Sequence, residues 1–246
     1  MTKAEILHLL QYGDIDLEGL LPWSSNYTFL ARVHQDDLET LAVYKPRQGE
    51  RPLWDFAQGT LCQRERAAYL VSEAIGWGVV PTTVVREGPH GAGSLQAFID
   101  HDPECHYFTF EGEADFRTQL QQIALLDIVI NNADRKGGHI LLQESENHTD
   151  KARLWAIDHG VCFHTQYKLR TVVWEFAGMP IPDDLLADLE GLRSDLFSRS
   201  STFVLDLSTQ LDESEMTALL KRVDQLIELG LFLEPGPSRH YPWPPV

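Results

Sequence analysis

Four ionisable side chains interrupt apolar segments of this chain. Lys45 closes the strand-like run "LAVYKP", and Glu65 lies in "TLCQRERAAYLVSEAIG". Asp134 stands in the polar run "NNADRKGGH", and Asp158 follows "LWAI" and precedes a histidine and a glycine. Singly, each has a plain structural reading: a strand-end lysine reaching water, a solvated helix glutamate, two turn aspartates. Together, their order has a chemical reading. Phosphoryl transfer needs a fixed cation on the phosphates and an anion to orient it, a carboxylate near the attacking hydroxyl and a carboxylate on a divalent metal. Lys45, Glu65, Asp134 and Asp158 supply those parts in that order.

The elements that must position them can be read from period and punctuation. Residues 3–11 predict a short helix. "NYTFLARV" and "TLAVYKP" predict a β-hairpin, and the segment holding Glu65 predicts a helix, with Thr60 and Gln63 as a capping box and Gly76 as its stop. "VVPTTVVREG" and "GSLQAFI" read as strands around the turn "GPHGAG". Beyond residue 102, Phe116, Leu120, Ile123, Leu126 and Ile130 recur at helical spacing. "HILLQE" and "RLWAIDHG" read as a strand pair around a polar tip, "SENHTDKA". "IPDDLLADLEGL" and "DESEMTALLKRVDQLIELG" read as helices, the latter opened by Asp212 and Glu215. The Pro-rich tail is expected to be extended, and packed only where Tyr241 and Trp243 find a groove. A β-rich half followed by a helical half implies a cleft between them.

The chain has 246 residues, 43% hydrophobic and 23% charged, with a formal net charge of −17. That charge disfavours nucleic acid as a partner. No apolar run nears the roughly 20 residues that cross a bilayer, so no transmembrane segment is expected. The N-terminus lacks the pattern of a secretory signal. Three scattered cysteines, Cys62, Cys105 and Cys162, fit a reducing compartment, and a cytoplasmic location is expected. Zinc held by His101, Cys105, His106, His159, Cys162 or His164 is disfavoured because no HExxH or CxxC spacing occurs.

The segments "SNYTFL", "AVYKPRQGERPLWDF", "RERAAYLVSEAIG", "LQAFI", "NNADRKGGHILL" and "WAIDHGVCFH" resemble the phosphatidylinositol 3-/4-kinase-like group of atypical kinases, a bacterial branch of it above all. They are more distantly similar to type II phosphatidylinositol 4-kinases and HipA-like Ser/Thr kinases. The resemblance implies an α+β, bilobal protein-kinase-like fold in a single domain, 1–246. It would have a small β-rich N-lobe with one helix (about 1–98), a larger mainly helical C-lobe (about 99–235) and a Pro-rich tail (236–246). It implies ATP with Mg²⁺ or Mn²⁺. Lys45 would hold the nucleotide phosphates and pair with Glu65. Backbone groups near Gln96, Ala97 and Phe98 would bond adenine, Asp134 would be the catalytic-loop carboxylate, and Asp158 would bind metal. Asn132 would brace the catalytic loop and Arg135 would hold it, with Lys136 neutralising charge on the transferred group.

Two departures stand out. His139 occupies the position five residues past Asp134 where this group carries a metal-binding asparagine. It is either a backbone-bonded histidine or an imidazole ligand suited to Mn²⁺, with affinity falling as it protonates. No glycine-rich phosphate loop occurs; Ser25 and Asn26 stand at the corresponding turn, where backbone N–H groups could cap a phosphate. Arg47 and Arg51 could assist, or be surface charges. The acceptor could be a hydroxyl on a protein, a small molecule or a lipid. The competing expectations are a catalytically inactive nucleotide-binding pseudokinase and nucleotidyl transfer on the same fold.

Overall fold

The computed structural model describes residues 1–21, 27–144, 152–198, 200–237 and 239–246. Helix α1 (Lys3–Tyr12) opens on a capping box between Thr2 and Glu5. Strands β1 (Asp14–Leu20), β2 (Phe29–Gln35), β3 (Leu38–Pro46), β4 (Thr83–Gly88) and β5 (Gly91–Ala97) form an antiparallel sheet in the order β1-β2-β3-β5-β4. Ala42 and Tyr44 of β3 pack with Leu9 and Leu10 of α1 and with Ala31, Val33, Val84 and Leu95 in a small core. Strand alternation then turns Lys45 to the opposite face of the sheet. Beside it, Gly93 of β5 pairs with Pro46. A Cβ there would meet the Lys45 carbonyl oxygen at 2.5 Å, so β5 passes the lysine closely only as glycine.

Helix α2 (Leu61–Ile75) belongs to the first half by sequence but packs into the second. Its Ala67, Ala68, Leu70, Val71 and Ile75 join the main core. Gly76 ends it at φ 87°, as expected. The capping box expected at Thr60 and Gln63 does not form. The Thr60 hydroxyl donates to the Ala57 carbonyl, and Glu50 takes the Cys62 N–H instead.

The second half is mainly helical: α3 (Tyr107–Phe110), α4 (Arg117–Ile130), the β6 (Ile140–Gln143) and β7 (Arg153–Ala156) hairpin, α5 (Asp183–Phe197), α6 (Thr202–Ser208) and α7 (Glu213–Leu229). Leu120, Ile123, Leu126 and Ile130 of α4 meet α5 and α7 in the main core, while Phe116 sits in a short 3₁₀ turn before the helix. Asp212 and Glu215 form the expected capping box, and Gly230 ends α7 at φ 62°. The expected hairpin tip, 145–152, lies almost wholly outside the described residues. A β-rich part with α2 and a mainly helical part make a two-lobed, protein-kinase-like α+β architecture. Among the described residues, no helix is long and apolar enough to cross a membrane.

The tail packs through its main chain rather than its aromatic rings. The His240 carbonyl accepts from Thr171 N–H at 3.1 Å and Trp174 Nε1 at 3.2 Å, and the Pro245 carbonyl from Gly137 N–H at 2.7 Å. The Trp243 side chain stays exposed.

Candidate active site

Asp127 anchors the polar run that follows α4. It is fully buried, so its carboxylate requires a cation and donors. Arg135, also fully buried, supplies Nε at 3.1 Å from both carboxylate oxygens and Nη2 at 3.0 Å from Oδ1. The same guanidinium donates from Nη1 to the carbonyls of His139 (3.1 Å) and Ile157 (2.7 Å). Asn132 donates to Asp127 at 2.9 Å and accepts from Asp134 N–H at 3.0 Å. Asn131 ends α4 in the left-handed conformation, φ 53°, and its amide group donates to the carbonyls of His164 and Gln166. The helix thus stops because its next residues form a braced loop. Asn132 and Arg135 play the bracing parts expected of them.

The bracing reaches the second aspartate through His159. Arg135 Nη2 lies 2.7 Å from His159 Nε2; since an arginine only donates, Nε2 accepts and Nδ1 carries the proton. Burial, reinforced by Arg135, pushes the His159 pKa well below its ordinary value. His159 N–H donates to Glu65 Oε2 at 2.9 Å, and its Nδ1 faces the same oxygen at 3.9 Å. Glu65 Oε1, in turn, holds Lys45 Nζ at 2.5 Å. One buried carboxylate on α2 therefore ties the strand lysine to the segment that carries Asp158.

Lys45 Nζ also lies 3.0 Å from Asp158 Oδ1. Burial opposes the charge on Lys45, but the Asp158 and Glu65 carboxylates outweigh it and raise its pKa. Lys45, in turn, holds Asp158 well below the usual carboxylate range. Asp158 has φ 60°, a strained setting that an aspartate tolerates better than most residues. Asp134 is pushed up by burial, against the pull of Lys136, whose Nζ lies 3.2 Å away. Lys45, Glu65, Asp134 and Asp158 line one cavity of about 90 Å³, floored by Gly160 and Val161.

His139 stands beside this cavity. Its Nδ1 lies 3.0 Å from the Asp134 carbonyl and 3.4 Å from the Lys136 N–H; in the tautomer that bonds the nearer carbonyl, Nδ1 carries the proton and Nε2 presents a lone pair. Nε2 lies 3.3 Å from Asp158 Oδ2. Burial lowers the His139 pKa to about 4, despite Asp158. The affinity loss expected near an ordinary histidine pKa is therefore displaced to much lower pH. In that tautomer the two facing lone-pair donors suit adjacent ligands of one cation, which stand about 3.0 Å apart in a Mg²⁺ octahedron. Among the described residues no group of three or more His, Cys, Asp or Glu side chains could hold a metal. Asp158 and His139 fit a cation that completes its shell with phosphate oxygens and water.

Among the described residues, Gln96, Ala97 and Phe98 do not line this cavity. The Ala97 N–H donates to the Thr82 carbonyl and the Phe98 N–H to that of Leu41. The Gln96 side chain is buried on the Thr83 hydroxyl. Those two N–H groups are already paired, and the chain leaves the sheet after this stretch. Ser25 and Asn26 lie outside the described residues. Arg47 and Arg51 line a neighbouring cavity of about 280 Å³. Asp127 and His159 were not expected in the site. The signal for Asp127 is a lone carboxylate inside "ALLDIVI", with an arginine eight residues on.

The phosphatidylinositol 3- and 4-kinase family matches residues 19–189. Protein Rv2133c of Mycobacterium tuberculosis is 34% identical over 99% of this chain and 97% of its own length. Phosphatidylinositol 4-kinase gamma 4 of Oryza sativa subsp. japonica is 36% identical over 45% of this chain, but that match spans only 22% of the rice protein. Among solved structures, the Golgi casein kinase superposes with TM-score 0.54 at 15% identity, covering 92% of this chain and 75% of that one. The Helicobacter pylori proinflammatory kinase CtkA gives 0.51 at 11% identity, covering 90% and 93%. Fold, sequence and the matched span together place the chain in the phosphatidylinositol 3- and 4-kinase family.

Proposed function

We propose that this chain, acting as one kinase-like unit, transfers the terminal phosphoryl group of ATP to a hydroxyl on a protein, small-molecule or lipid acceptor. The observation that carries this reading is the meeting of Lys45, Glu65, Asp134 and Asp158 around one cavity. Lys45, aimed by Glu65, holds phosphate oxygens. Asp134 accepts the proton of the acceptor hydroxyl, and its raised pKa suits it to that task. Lys136 offsets charge on the transferred group. Asp158 and His139 would hold Mg²⁺ or Mn²⁺, which would supply positive charge to offset that of the nucleotide phosphates. At about 90 Å³ the cavity is far below the roughly 300–1,000 Å³ of ordinary ligand pockets, so a whole nucleotide needs the halves to part.

One observation favours a second reading, a nucleotide-binding regulator without turnover: His139 replaces the family's asparagine and bonds to backbone. The deciding experiment is intact-mass analysis of the protein and of cell extract after incubation with ATP and metal. An added phosphate, lost in Asp134→Ala, supports the kinase. An added AMP would mean nucleotidyl transfer, and binding of ATP with no product would leave the regulator.

A further inference from the structure

Arg66 follows Glu65 on α2 but belongs to another cavity. This cavity, of about 320 Å³, lies between the end of α1, β4, α2 and the α6–α7 connection. It shares no lining residue with the interlobe cavity. Two guanidiniums line it, Arg66 and Arg86.

Both are anchored by neutral groups. Arg66 Nη1 donates to the Thr83 carbonyl, and its guanidinium lies over the Tyr69 ring at 5.1 Å. Arg86 Nη1 donates to the carbonyls of Leu10 (3.2 Å) and Gly13 (2.9 Å), closing the C-terminus of α1, and its Nε to the Glu87 carbonyl. Among the described residues neither arginine forms an ion pair with a carboxylate, although the chain carries a net charge of −17. The carboxylates that act on Arg66 from further off are Asp206 and Glu73, and Glu73 is already engaged by Lys3. Arg66 Nε and Nη2 and Arg86 Nη2 have no protein acceptor among the described residues, and none is a buried, unpartnered atom. Both residues line the cavity.

Anchoring to carbonyls fixes the two planar forks without neutralising them, the arrangement in which arginine recognises oxyanions. We propose that this cavity binds a compact phosphate-class oxyanion, held between Arg66 on α2 and Arg86 on β4; the Thr209 hydroxyl and Gln210 amide that also line it are bonded to the Asp206 carbonyl and to each other. Asp206, which lines it too, limits the affinity. Occupancy would fasten α2 to the sheet from the side opposite the main core.

The test is thermal unfolding of the full chain with inorganic phosphate against chloride at matched ionic strength. Phosphate stabilises the protein saturably. Lys45→Met, which removes the cation of the interlobe cavity, leaves that stabilisation intact. Arg66→Gln or Arg86→Gln weakens phosphate binding at least about tenfold, the loss of one charge-assisted bond. Should either variant fail to fold, Asp206→Asn decides, because it removes an exposed opposing charge and should tighten binding severalfold. The site is refuted if phosphate protects no better than chloride. It is equally refuted if protection vanishes in Lys45→Met while Asp206→Asn leaves it unchanged.

Discussion

Lys45 Nζ and Asp158 Oδ1 meet at 3.0 Å although 113 residues separate them. The two carboxylates on this ammonium differ in setting: the Glu65 side chain is 4% exposed and that of Asp158 47%. The buried contact orients the lysine, and the exposed one is screened and exchangeable. Lys45→Met should therefore act twice. It leaves Glu65 buried without its cation, which costs about 3 kcal/mol of stability. It also abolishes protection by ATP with Mg²⁺, which in the parent reaches ~2.7 kcal/mol at a hundredfold excess over Kd. Thermal shift with and without nucleotide measures both effects. An undiminished ATP shift in the variant would remove Lys45 from the phosphate site.

On the proposed function, His139 should set the choice of metal. In the tautomer whose Nδ1–H bonds the Asp134 carbonyl, Nε2 beside Asp158 Oδ2 is a nitrogen donor where an amide oxygen would favour Mg²⁺. His139→Asn should shift the ratio of Mn²⁺ to Mg²⁺ affinity toward Mg²⁺ by about tenfold, measured by metal titration at fixed ATP. Because the imidazole pKa sits at about 4, the parent's preference should hold from pH 8 down to 5.5. An unchanged ratio in the variant would make His139 a purely structural residue.

Reading the sequence found residues that meet at one cavity better than the surfaces that frame it. Lys45, Glu65, Asp134 and Asp158 were legible because each breaks an apolar or turn-flanked run, and such breaks survive in one dimension. The pairing of the Ala97 and Phe98 N–H groups was not, because strand pairing decides where a sheet edge ends and pairing is non-local. β1 was missed because "DIDLEGL" is acidic and sits on a sheet edge, where burial imposes little pattern. The capping box at Asp212 formed and the one at Thr60 did not. Both match the same local rule, but at α2 a distant glutamate, Glu50, took the donor. Asp127 was hidden by the helical period that correctly found α4, since periodicity counts apolar positions and is silent about a buried carboxylate.

The two buried neutral histidines set a stability window. His139 falls to about 4 from an ordinary 6.5, and His159 is also lowered. Between these limits the unfolded chain takes up protons that the folded chain does not, so stability is full above pH 6.5 and falls as pH drops toward 4. For His139 alone the loss is on the order of 3 kcal/mol across that window. Urea unfolding at half-unit pH steps should show the decline, and His139→Asn should flatten it by about half. A flat profile from pH 7 to 4.5 in the parent would contradict the neutral, buried state of both rings.

The pair formed by Asp127 and Arg135 should prove structural in energy and functional in geometry. Asp127→Asn strands a fully buried guanidinium and should cost about 3–5 kcal/mol in urea unfolding. Arg135→Met strands the carboxylate and frees the carbonyls of His139 and Ile157, with a similar cost. The double variant, Asp127→Leu with Arg135→Met, removes both charges and should recover much of that stability, since apolar groups often replace buried ion pairs without loss. Its ATP turnover should remain as low as that of Arg135→Met, because the Arg135 bonds to the His139 and Ile157 carbonyls, which brace the Asp134 loop against the Asp158 segment, are then missing. Turnover returning along with stability would mean that the loop keeps its geometry without Arg135.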